Sequence, residues 1–293
     1  MIKMKILVIG ASGLVGEQAY LAAKRLNMEV YGTSFKQNIN GMYALDITKK
    51  EDVLNLIKKI NPECIIHAAA LTFVDYCETH KQEAWLANVE GTRNIVAAAE
   101  DAKVVYISSD YVFDGVNGPY AEDDLPNPIN YYGLTKLMGE SAVSSLENHM
   151  IVRSTWVFDL LSDTKNFIYR LINTLKEGKE IKVPADQIAN PTLARSLASC
   201  MLKLVKKYFS GIINISGSSR LSRYDFAAKV AENFSLDKDL IVRVSSEELG
   251  QPAKRPKNAG FKLQKLENEL GEKMDSLEES LEKLSKVYRS KFG

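Results

Sequence analysis

Apolar and polar positions alternate along the first half of the chain in a pattern that predicts strands and helices in turn. Short runs rich in Val and Ile predict strands at 5–9, 28–31, 64–67 and 103–108. Apolar residues recurring every three to four positions predict helices at 14–26, 51–60, 82–100 and 132–146. Strands that are apolar throughout are buried on both faces. The pattern therefore predicts an α/β fold, a Rossmann-like doubly wound parallel sheet with helices on both faces.

The second half is less regular. It predicts helices at 166–176, 192–207 and 224–233, and strands at 180–183, 212–215 and 240–242. In the tail, leucines and one methionine recur at spacings of three and four from Leu263 to Leu284, with a break expected near Gly271. Such a stripe either packs against the body of the protein or forms a helix–helix contact between subunits.

Composition excludes some classes of protein. The 293 residues carry a formal net charge of +1, which argues against a nucleic-acid-binding or membrane-surface protein. Cys64, Cys77 and Cys200 are too few and too scattered for a disulfide framework, so we expect a reducing cytoplasm and no metal site. The chain has no apolar stretch of membrane-spanning length, and its short apolar start runs into Gly10 as a buried strand would.

A glycine-rich loop separates the first predicted strand from the first predicted helix. Its spacing is G-x-x-G-x-x-G at 10–16, which differs from the usual G-x-G-x-x-G dinucleotide motif. A loop in this position aims backbone N–H groups and a helix N-terminus at a phosphate. We therefore assign a nucleotide cofactor to the loop residues Gly10, Ser12, Gly13, Leu14, Val15 and Gly16.

The end of the second strand indicates which cofactor binds. An NAD site usually has Asp or Glu here, but the stretch 31–36 contains no acidic residue. Thr33, Ser34 and Lys36 are instead suited to a 2′-phosphate, so we predict NADPH, with NADH possible. Lys36 is alternatively a solvated loop lysine.

Two further segments are candidates for cofactor contacts. Asp46, followed by Ile47, either accepts a hydrogen bond from the adenine amino group or caps the next helix. Ala68, Ala69 and Ala70 end a strand with small side chains, which admit the ribose and nicotinamide or serve tight strand–helix packing.

Tyr132 and Lys136 carry the strongest chemical signal. They lie four residues apart at the start of a predicted helix and so share one face. An ammonium beside a phenol lowers the pKa of the phenol, which makes Tyr132 a usable proton donor. Ser109, at the end of a strand, supplies a hydroxyl to polarise a carbonyl. Ser108 and Tyr131 are the competing candidates, although Tyr131 has no lysine four residues later.

These motifs together resemble the extended short-chain dehydrogenase/reductases, and in particular the dTDP-4-dehydrorhamnose reductase family. The matching pieces are GASGLVG (10–16), HAAALTFVD (67–75), NVEGTRN (88–94), YISSDYVFDG (106–115), PNPINYYGLTK (126–136), RSTWVF (153–158), DQIANPT (186–192) and RPKNAGF (255–261). They follow the family's order and cover residues 5 to about 270. The pieces at 109–115 and 186–192 are more specific than the glycine loop.

The resemblance implies NADPH-dependent reduction of dTDP-4-dehydro-6-deoxy-L-mannose to dTDP-L-rhamnose. Ser109 would bind the keto oxygen, Tyr132 would donate the proton, and Lys136 would hold the nicotinamide ribose. Asn88 matches an asparagine that supports the active-site helix, and we place it with the cofactor-binding residues. The implied substrate contacts are Tyr111, Trp156, Gln187 and Thr192, although Trp156 alone could equally be a core residue.

Several alternatives stay open at this point. They are another nucleotide-sugar reductase, an epimerase or dehydratase, and a non-catalytic NADP-binding regulatory subunit resembling that of methionine adenosyltransferase. We expect a small-molecule nucleotide sugar as partner and a possible homodimer. We expect an NAD(P)-binding domain at about 1–152, a mainly substrate-binding domain at 153–270 from which the chain crosses back, and a C-terminal amphipathic helix at 271–293.

Overall fold

A computed structural model describes residues 3–35, 39, 41–160 and 166–292, with side chains to residue 288. The strands are β1 (Lys5–Ile9), β2 (Glu29–Ser34), β3 (Tyr43–Ala44), β4 (Cys64–His67), β5 (Lys103–Ser109), β6 (His149–Ser154), β7 (Val157–Phe158), β8 (Ile181–Pro184), β9 (Ile188–Ala189), β10 (Thr192–Leu193), β11 (Gly211–Asn214), β12 (Leu221–Ser222) and β13 (Ile241–Val244). The α-helices are α1 (Leu14–Arg25), α2 (Lys50–Ile60), α3 (Val74–Thr79), α4 (Lys81–Trp85), α5 (Gly91–Ala98), α6 (Tyr131–Val143), α7 (Phe167–Lys176), α8 (Ala194–Lys206), α9 (Arg223–Asn233), α10 (Gln264–Leu270) and α11 (Leu277–Phe292).

The central sheet is parallel, which confirms the predicted fold class. Within the described residues it contains seven strands in the order β3-β2-β1-β4-β5-β6-β11. Strand order reverses between β1 and β4. Ligands of open α/β sheets bind at such a switch point, outside the carboxyl ends of the strands.

Both faces of the sheet are buried. Ile6 and Val8 of β1 pack into one apolar cluster with α1 and α8, whereas Leu7 and Ile9 pack into a second cluster with α2 and α5. Successive side chains of a strand point to opposite faces. A strand covered by helices on both sides therefore needs apolar residues at every position, as the sequence pattern indicated.

The chain returns to the sheet after position 153. Leu197 and Met201 of α8 pack in the same cluster as Ala19 of α1, and Ile212 of β11 pairs with Ile151 of β6. The proposed boundary at 152–153 falls inside β6. The division into two domains stays a prediction, and its second part contributes both a helix and an edge strand to the central sheet.

A third apolar cluster lies beside the sheet. It joins α7, α9 and α11 to the short strands β8 and β13, which pair with each other in parallel. Phe158, Phe226 and Leu171 are fully buried within it. This cluster is the body of the C-terminal part.

The leucine stripe of the tail packs on its own chain. Leu263, Leu266 and Leu270 contact the cluster around α1 and α8. After Gly271, whose φ of +70° ends α10, Leu277 and Leu284 enter the third cluster. The stripe therefore connects the sheet to the C-terminal part, because its two halves belong to different cores.

Some elements differ from their predicted bounds. The helix predicted at 82–100 consists of α4, a π-helical segment at Leu86–Glu90, and α5. The helix predicted from 192 begins at Ala194, because Thr192–Leu193 forms β10. Strand β6 was not predicted, since Arg153 interrupts its apolar run; Glu140 pairs with that arginine inside the protein.

None of the described helices is long and apolar enough to cross a membrane. In the same part of the chain, no group of three or more His, Cys, Asp or Glu side chains is placed to hold a metal ion. Cys64, Cys77 and Cys200 are buried free thiols.

Candidate active site

The carboxyl ends of β1, β4, β5 and β6 surround a cavity of about 630 Å³, which we call the strand-end cavity. Its lining includes Gly13, Ala68, Ser109, Tyr132 and Lys136. These residues come from four separate segments of sequence. Parallel strands bring them together because their carboxyl ends meet at one edge of the sheet.

The glycine loop forms one wall of this cavity. Gly10 has a φ of +84°, and its carbonyl accepts a hydrogen bond from Gly13 N at 3.0 Å. Gly13 precedes α1 and, among the described residues, no side chain caps that helix. The N–H groups of the first turn are thus left for an anion. Leu14 and Val15 line the cavity, whereas Ser12 is exposed and does not.

The residues at the end of β2 and just after it have different roles. Thr33 Oγ1 accepts a hydrogen bond from Gly10 N at 3.1 Å and is buried, so its side chain holds the glycine loop. It was predicted to contact a 2′-phosphate, but its position behind the loop makes it a support. Ser34 is buried at the end of β2. Lys36 lies outside the described residues.

Among the other proposed cofactor residues, some line the strand-end cavity and others make structural contacts. Asp46 Oδ1 accepts hydrogen bonds from Thr48 N at 3.0 Å and Thr48 Oγ1 at 2.7 Å, so it stabilises the turn before α2. Ile47 is buried against Gly91. Ala68 and Ala70 line the strand-end cavity, and Ala69 lies against Gly10. The small alanine side chains thus allow close packing against Gly10 and leave room for a ligand in the strand-end cavity.

Ser109, Tyr132 and Lys136 meet in the strand-end cavity. Ser109 ends β5, and its hydroxyl donates to Asp110 Oδ1 at 3.1 Å. Tyr132 lies in the first turn of α6, and Lys136 follows one turn later, with Nζ 4.0 Å from the centre of the Tyr106 ring. Asn130 caps α6 through a hydrogen bond from Gly133 N at 2.8 Å, which fixes where the helix begins.

The electrostatics of the pair differ from the prediction. We expected Lys136 to lower the pKa of Tyr132, but burial raises that pKa, and the charge of Asp110 raises it further. A hydrogen bond with Ser109 acts in the opposite direction. Burial also lowers the pKa of Lys136 to about 7, against the charge of Glu140. Desolvation is the largest effect on each of the two groups, because both lie in the protein interior.

Asn88 connects the site to its surroundings. Its side chain lies in the π-helical segment and accepts from Leu71 N at 2.7 Å. Its amide donates to Thr135 Oγ1 of α6 at 3.0 Å and to Leu71 O at 3.0 Å. Asn88 therefore ties the segment after β4 to the helix that carries Tyr132 and Lys136, which is the supporting position that the family resemblance implied.

A second cavity, of about 960 Å³, adjoins the first, and we call it the arginine cavity. Its lining includes the cationic residues Arg170, Lys182, Arg223 and Arg255. Trp156, Phe73 and Arg223 line both cavities, so the two are contiguous. The cations exceed the acidic lining residues, Asp75 and Glu83, and make this cavity suited to an anionic ligand.

Three of the four predicted substrate residues line the arginine cavity. Tyr111 packs edge-on against Tyr132 with ring centroids 5.8 Å apart, and Trp156 stacks under the Arg223 guanidinium at 4.5 Å. Gln187 also lines it. Thr192 departs from the prediction: it is fully buried, its hydroxyl is bonded to Asn190 O and Gly217 N, and it lines neither cavity.

Sequence reasoning missed other residues of the site. Arg170 and Arg223 belong to no quoted motif, and only the fold brings them to the cavity. Asp110 is buried and accepts from Ser109 and, at 2.6 Å, from Thr155 Oγ1; burial raises its pKa to about 6. Its place directly after Ser109 was the available signal.

Fold and site together define a class of protein. A Rossmann-like sheet with a glycine loop after β1, and with serine, tyrosine and lysine side chains at the ends of later elements, is typical of the extended short-chain dehydrogenase/reductases. The chain matches the family model described as RmlD substrate binding domain over residues 4–290, and it belongs to that family. The resemblance drawn from the motifs is thereby confirmed.

Individual relatives span nearly the whole chain. The dTDP-4-dehydrorhamnose reductase of Sinorhizobium fredii is 31% identical over 298 residues, covering 96% of each protein. A crystal structure of dTDP-4-dehydrorhamnose reductase from Bacillus anthracis in complex with NADP is 34% identical, with a TM-score of 0.89, covering 97% of this chain and 99% of that one. Methionine adenosyltransferase 2 subunit beta of Rattus norvegicus is 32% identical over 276 residues, covering 90% of this chain and 81% of that protein.

Proposed function

We propose that this protein is an NADPH-dependent reductase that converts dTDP-4-dehydrorhamnose to dTDP-L-rhamnose. The observation that carries the proposal is the meeting of Ser109, Tyr132 and Lys136 in a cavity contiguous with the arginine cavity. The glycine loop supplies the N–H groups that fit a dinucleotide pyrophosphate. The reductases of Sinorhizobium fredii and Bacillus anthracis, similar over nearly their full length, support the choice of reaction.

The positions of the side chains in the strand-end cavity support the following roles. NADPH supplies the hydride that reduces the C4 carbonyl. Tyr132 donates its phenolic proton to the oxygen that becomes the C4 hydroxyl. Ser109, at the edge of the same cavity, would turn its hydroxyl from Asp110 Oδ1 and donate a hydrogen bond to that oxygen as charge develops. Lys136 holds the ribose hydroxyls and stabilises the phenolate that remains on Tyr132.

The arginine cavity is proposed to bind the diphosphate of the nucleotide sugar. Arg223 is central, because it lines both cavities and its guanidinium lies 4.5 Å from the Trp156 ring and 4.0 Å from the Phe167 ring. Burial lowers its pKa to about 10, so it stays cationic at neutral pH. A stacked guanidinium presents its N–H donors in a fixed plane, which suits a phosphate.

Replacing Arg223 with Met is expected to raise the KM for the sugar nucleotide about 10- to 100-fold, since hydrogen bonds to a charged group contribute about 1.5–3 kcal/mol. The Kd for NADPH should change less than threefold. Arg220 provides the matched control, because it is close in sequence but lines neither cavity. Equal effects of Arg223→Met and Arg220→Met on KM would rule out the proposed diphosphate site.

Ser34 gives a test of cofactor choice. Ser34→Asp should reverse the preference for NADPH over NADH, because a carboxylate at the end of β2 repels a 2′-phosphate and accepts from a 2′-hydroxyl. The measurement is kcat/KM for both cofactors in both proteins, with Ser210→Asp as control, because Ser210 is exposed and lines neither cavity. A clear NADH preference in the unmodified protein would contradict the assignment.

The proposed activity is tested directly by the loss of NADPH absorbance in the presence of dTDP-4-dehydrorhamnose formed in situ. Oxidation that depends on the sugar nucleotide is the expected result. The similarity to methionine adenosyltransferase 2 subunit beta supports one second candidate, a regulatory subunit that binds NADP. NADPH binding without turnover, together with a stable complex with a catalytic partner, would favour that role.

A further inference from the structure

A buried ion pair between Arg153 and Glu140 adjoins the candidate active site, and the proposed mechanism gives it no role. Arg153 of β6 donates from Nε to Glu140 Oε1 at 3.0 Å and from Nη2 to Glu140 Oε2 at 2.8 Å. Ser108 Oγ donates to Glu140 Oε1 at 2.5 Å. All three residues are at most 5% exposed. Burying two charges is costly, and a pair alone is weak evidence of a gain in stability.

The position of this pair connects it to the proposed catalytic residues. Glu140 lies one turn after Lys136 on α6, so the two side chains share a face. Ser108 immediately precedes Ser109, and it pairs in register with Arg153 across β5 and β6. The carboxylate of Glu140 is therefore bonded to the strand that carries Ser109 while its helix carries Tyr132 and Lys136.

We propose that Glu140, held by Arg153 and Ser108, is a positioning residue whose buried negative charge, one helical turn from Lys136, favours the ammonium form of that lysine in the candidate active site. The inference rests on the proposed function for the value of a charged lysine there. The titration of Lys136 can nevertheless be followed without any turnover.

Among the residues that the structure describes, Glu140 is the negative charge that acts on Lys136. From β5 the Tyr106 ring lies 4.0 Å from Nζ, and on α6 Tyr132 lies one turn before it. The pKa of each phenol is raised by burial. From β4, His67 is uncharged at neutral pH, because burial and the charge of Lys136 lower its pKa to about 3. Arg153, on β6, acts in the opposite sense to Glu140.

The pKa of Lys136 lies close to neutral pH, so the loss of one nearby charge changes how much of the lysine is protonated at pH 7. Burial lowers the pKa of Lys136 to about 7, and Glu140 is the group that raises it. A lysine with a pKa near 7 is about half protonated at pH 7. Removing the Glu140 charge should lower the midpoint by about 1 pH unit, which leaves about one tenth of the lysine protonated at pH 7.

The decisive experiment is an NMR titration of Glu140→Gln. Lysine labelled with carbon-13 at Cε gives one signal per side chain, and the signal absent from Lys136→Met identifies Lys136. The expected result is a Lys136 midpoint about 1 pH unit below that of the unmodified protein. The basic limb of kcat/KM should move down by the same amount, because activity falls as Lys136 loses its proton.

Asp159→Asn is the matched control. Asp159 is a fully buried carboxylate that Arg195 holds through two hydrogen bonds, at 2.6 and 3.1 Å, as Arg153 holds Glu140. Loss of that pair disturbs the fold comparably but should leave the Lys136 midpoint unchanged. If Glu140→Gln does not fold, Glu140→Gln/Arg153→Gln removes both charges and leaves neither unpaired. The Lys136 midpoint should then still fall, but by less than in Glu140→Gln, because the repulsion from Arg153 is removed as well.

A Lys136 midpoint that stays in place in the folded Glu140 variant, or that moves equally in Asp159→Asn, would overturn the proposal. Failure of the proposed function is recognised separately. In that case the unmodified protein would not oxidise NADPH with the dTDP sugar, whereas the titration would still decide the role of Glu140.

Discussion

Tyr132→Phe is expected to lower kcat by about 10²–10⁴-fold, because the variant lacks the only proton that the proposed mechanism donates to the C4 oxygen. The ring itself should stay in place. It is 91% buried, packs edge-on against Tyr111, and is held by the capped first turn of α6. NADPH affinity, measured by fluorescence, should therefore change little while turnover is lost.

Tyr131→Phe is the control for that substitution. Tyr131 is the adjacent residue in the same helical turn, but it does not line the strand-end cavity. It also has no lysine four residues later, since position 135 is a threonine. Near-normal turnover in Tyr132→Phe, or an equal loss in Tyr131→Phe, would show that the proton comes from another group.

The central sheet was predictable because burial on both faces leaves a direct mark on the sequence. β1, β4 and β5 are short runs of Val, Ile and Leu, and each has helical periodicity after it. The same reasoning failed for β6, where Arg153 occupies a buried strand position. Arg153 can be buried there because the carboxylate of Glu140, 13 residues earlier in the chain, accepts hydrogen bonds from its guanidinium and balances its charge. Local patterns do not encode a partner on another element.

The candidate site was predictable where its chemistry is contained in one segment. Ser109 ends β5, and Tyr132 and Lys136 lie in the first two turns of α6; the parallel topology then places them at one edge of the sheet. Arg170 and Arg223 carry no such local mark, because they reach the arginine cavity from α7 and α9 of the C-terminal part. Distant residues of this kind are found only once the fold is known.

The prediction that Lys136 lowers the pKa of Tyr132 was wrong, and here too the cause is a feature of the fold that the local sequence does not show. A lysine four residues after a tyrosine on an exposed helix would lower the pKa of the phenol. In this protein α6 is inserted against β5, and both side chains are at least nine-tenths buried. Desolvation then acts on each group separately and is the larger effect. Sequence spacing gives the distance between two groups, but it does not give the polarity of the medium between them.

The second large effect is expected for Gly16→Ala, which should weaken NADPH binding by at least about 100-fold and lower the melting temperature. A Cβ on Gly16 would lie 2.1 Å from Gly10 O and 2.8 Å from Gly10 C, where there is backbone rather than a movable side chain. The loop or α1 must therefore shift. Either movement turns the N–H groups of the first helical turn away from the pyrophosphate, and interactions of a charged group with such donors contribute about 1.5–3 kcal/mol each.

Gly13→Ala separates the two causes of that loss. A Cβ on Gly13 has Gly10 O at 3.4 Å as its nearest neighbour, so the loop accommodates it without displacement. Gly13 also lines the strand-end cavity, where an added methyl group obstructs the cofactor itself. Gly13→Ala should therefore weaken NADPH binding while its melting temperature, measured without cofactor, stays near that of the unmodified protein. An unchanged melting temperature and affinity in Gly16→Ala would mean that the contact between this loop and α1 does not position the phosphate site.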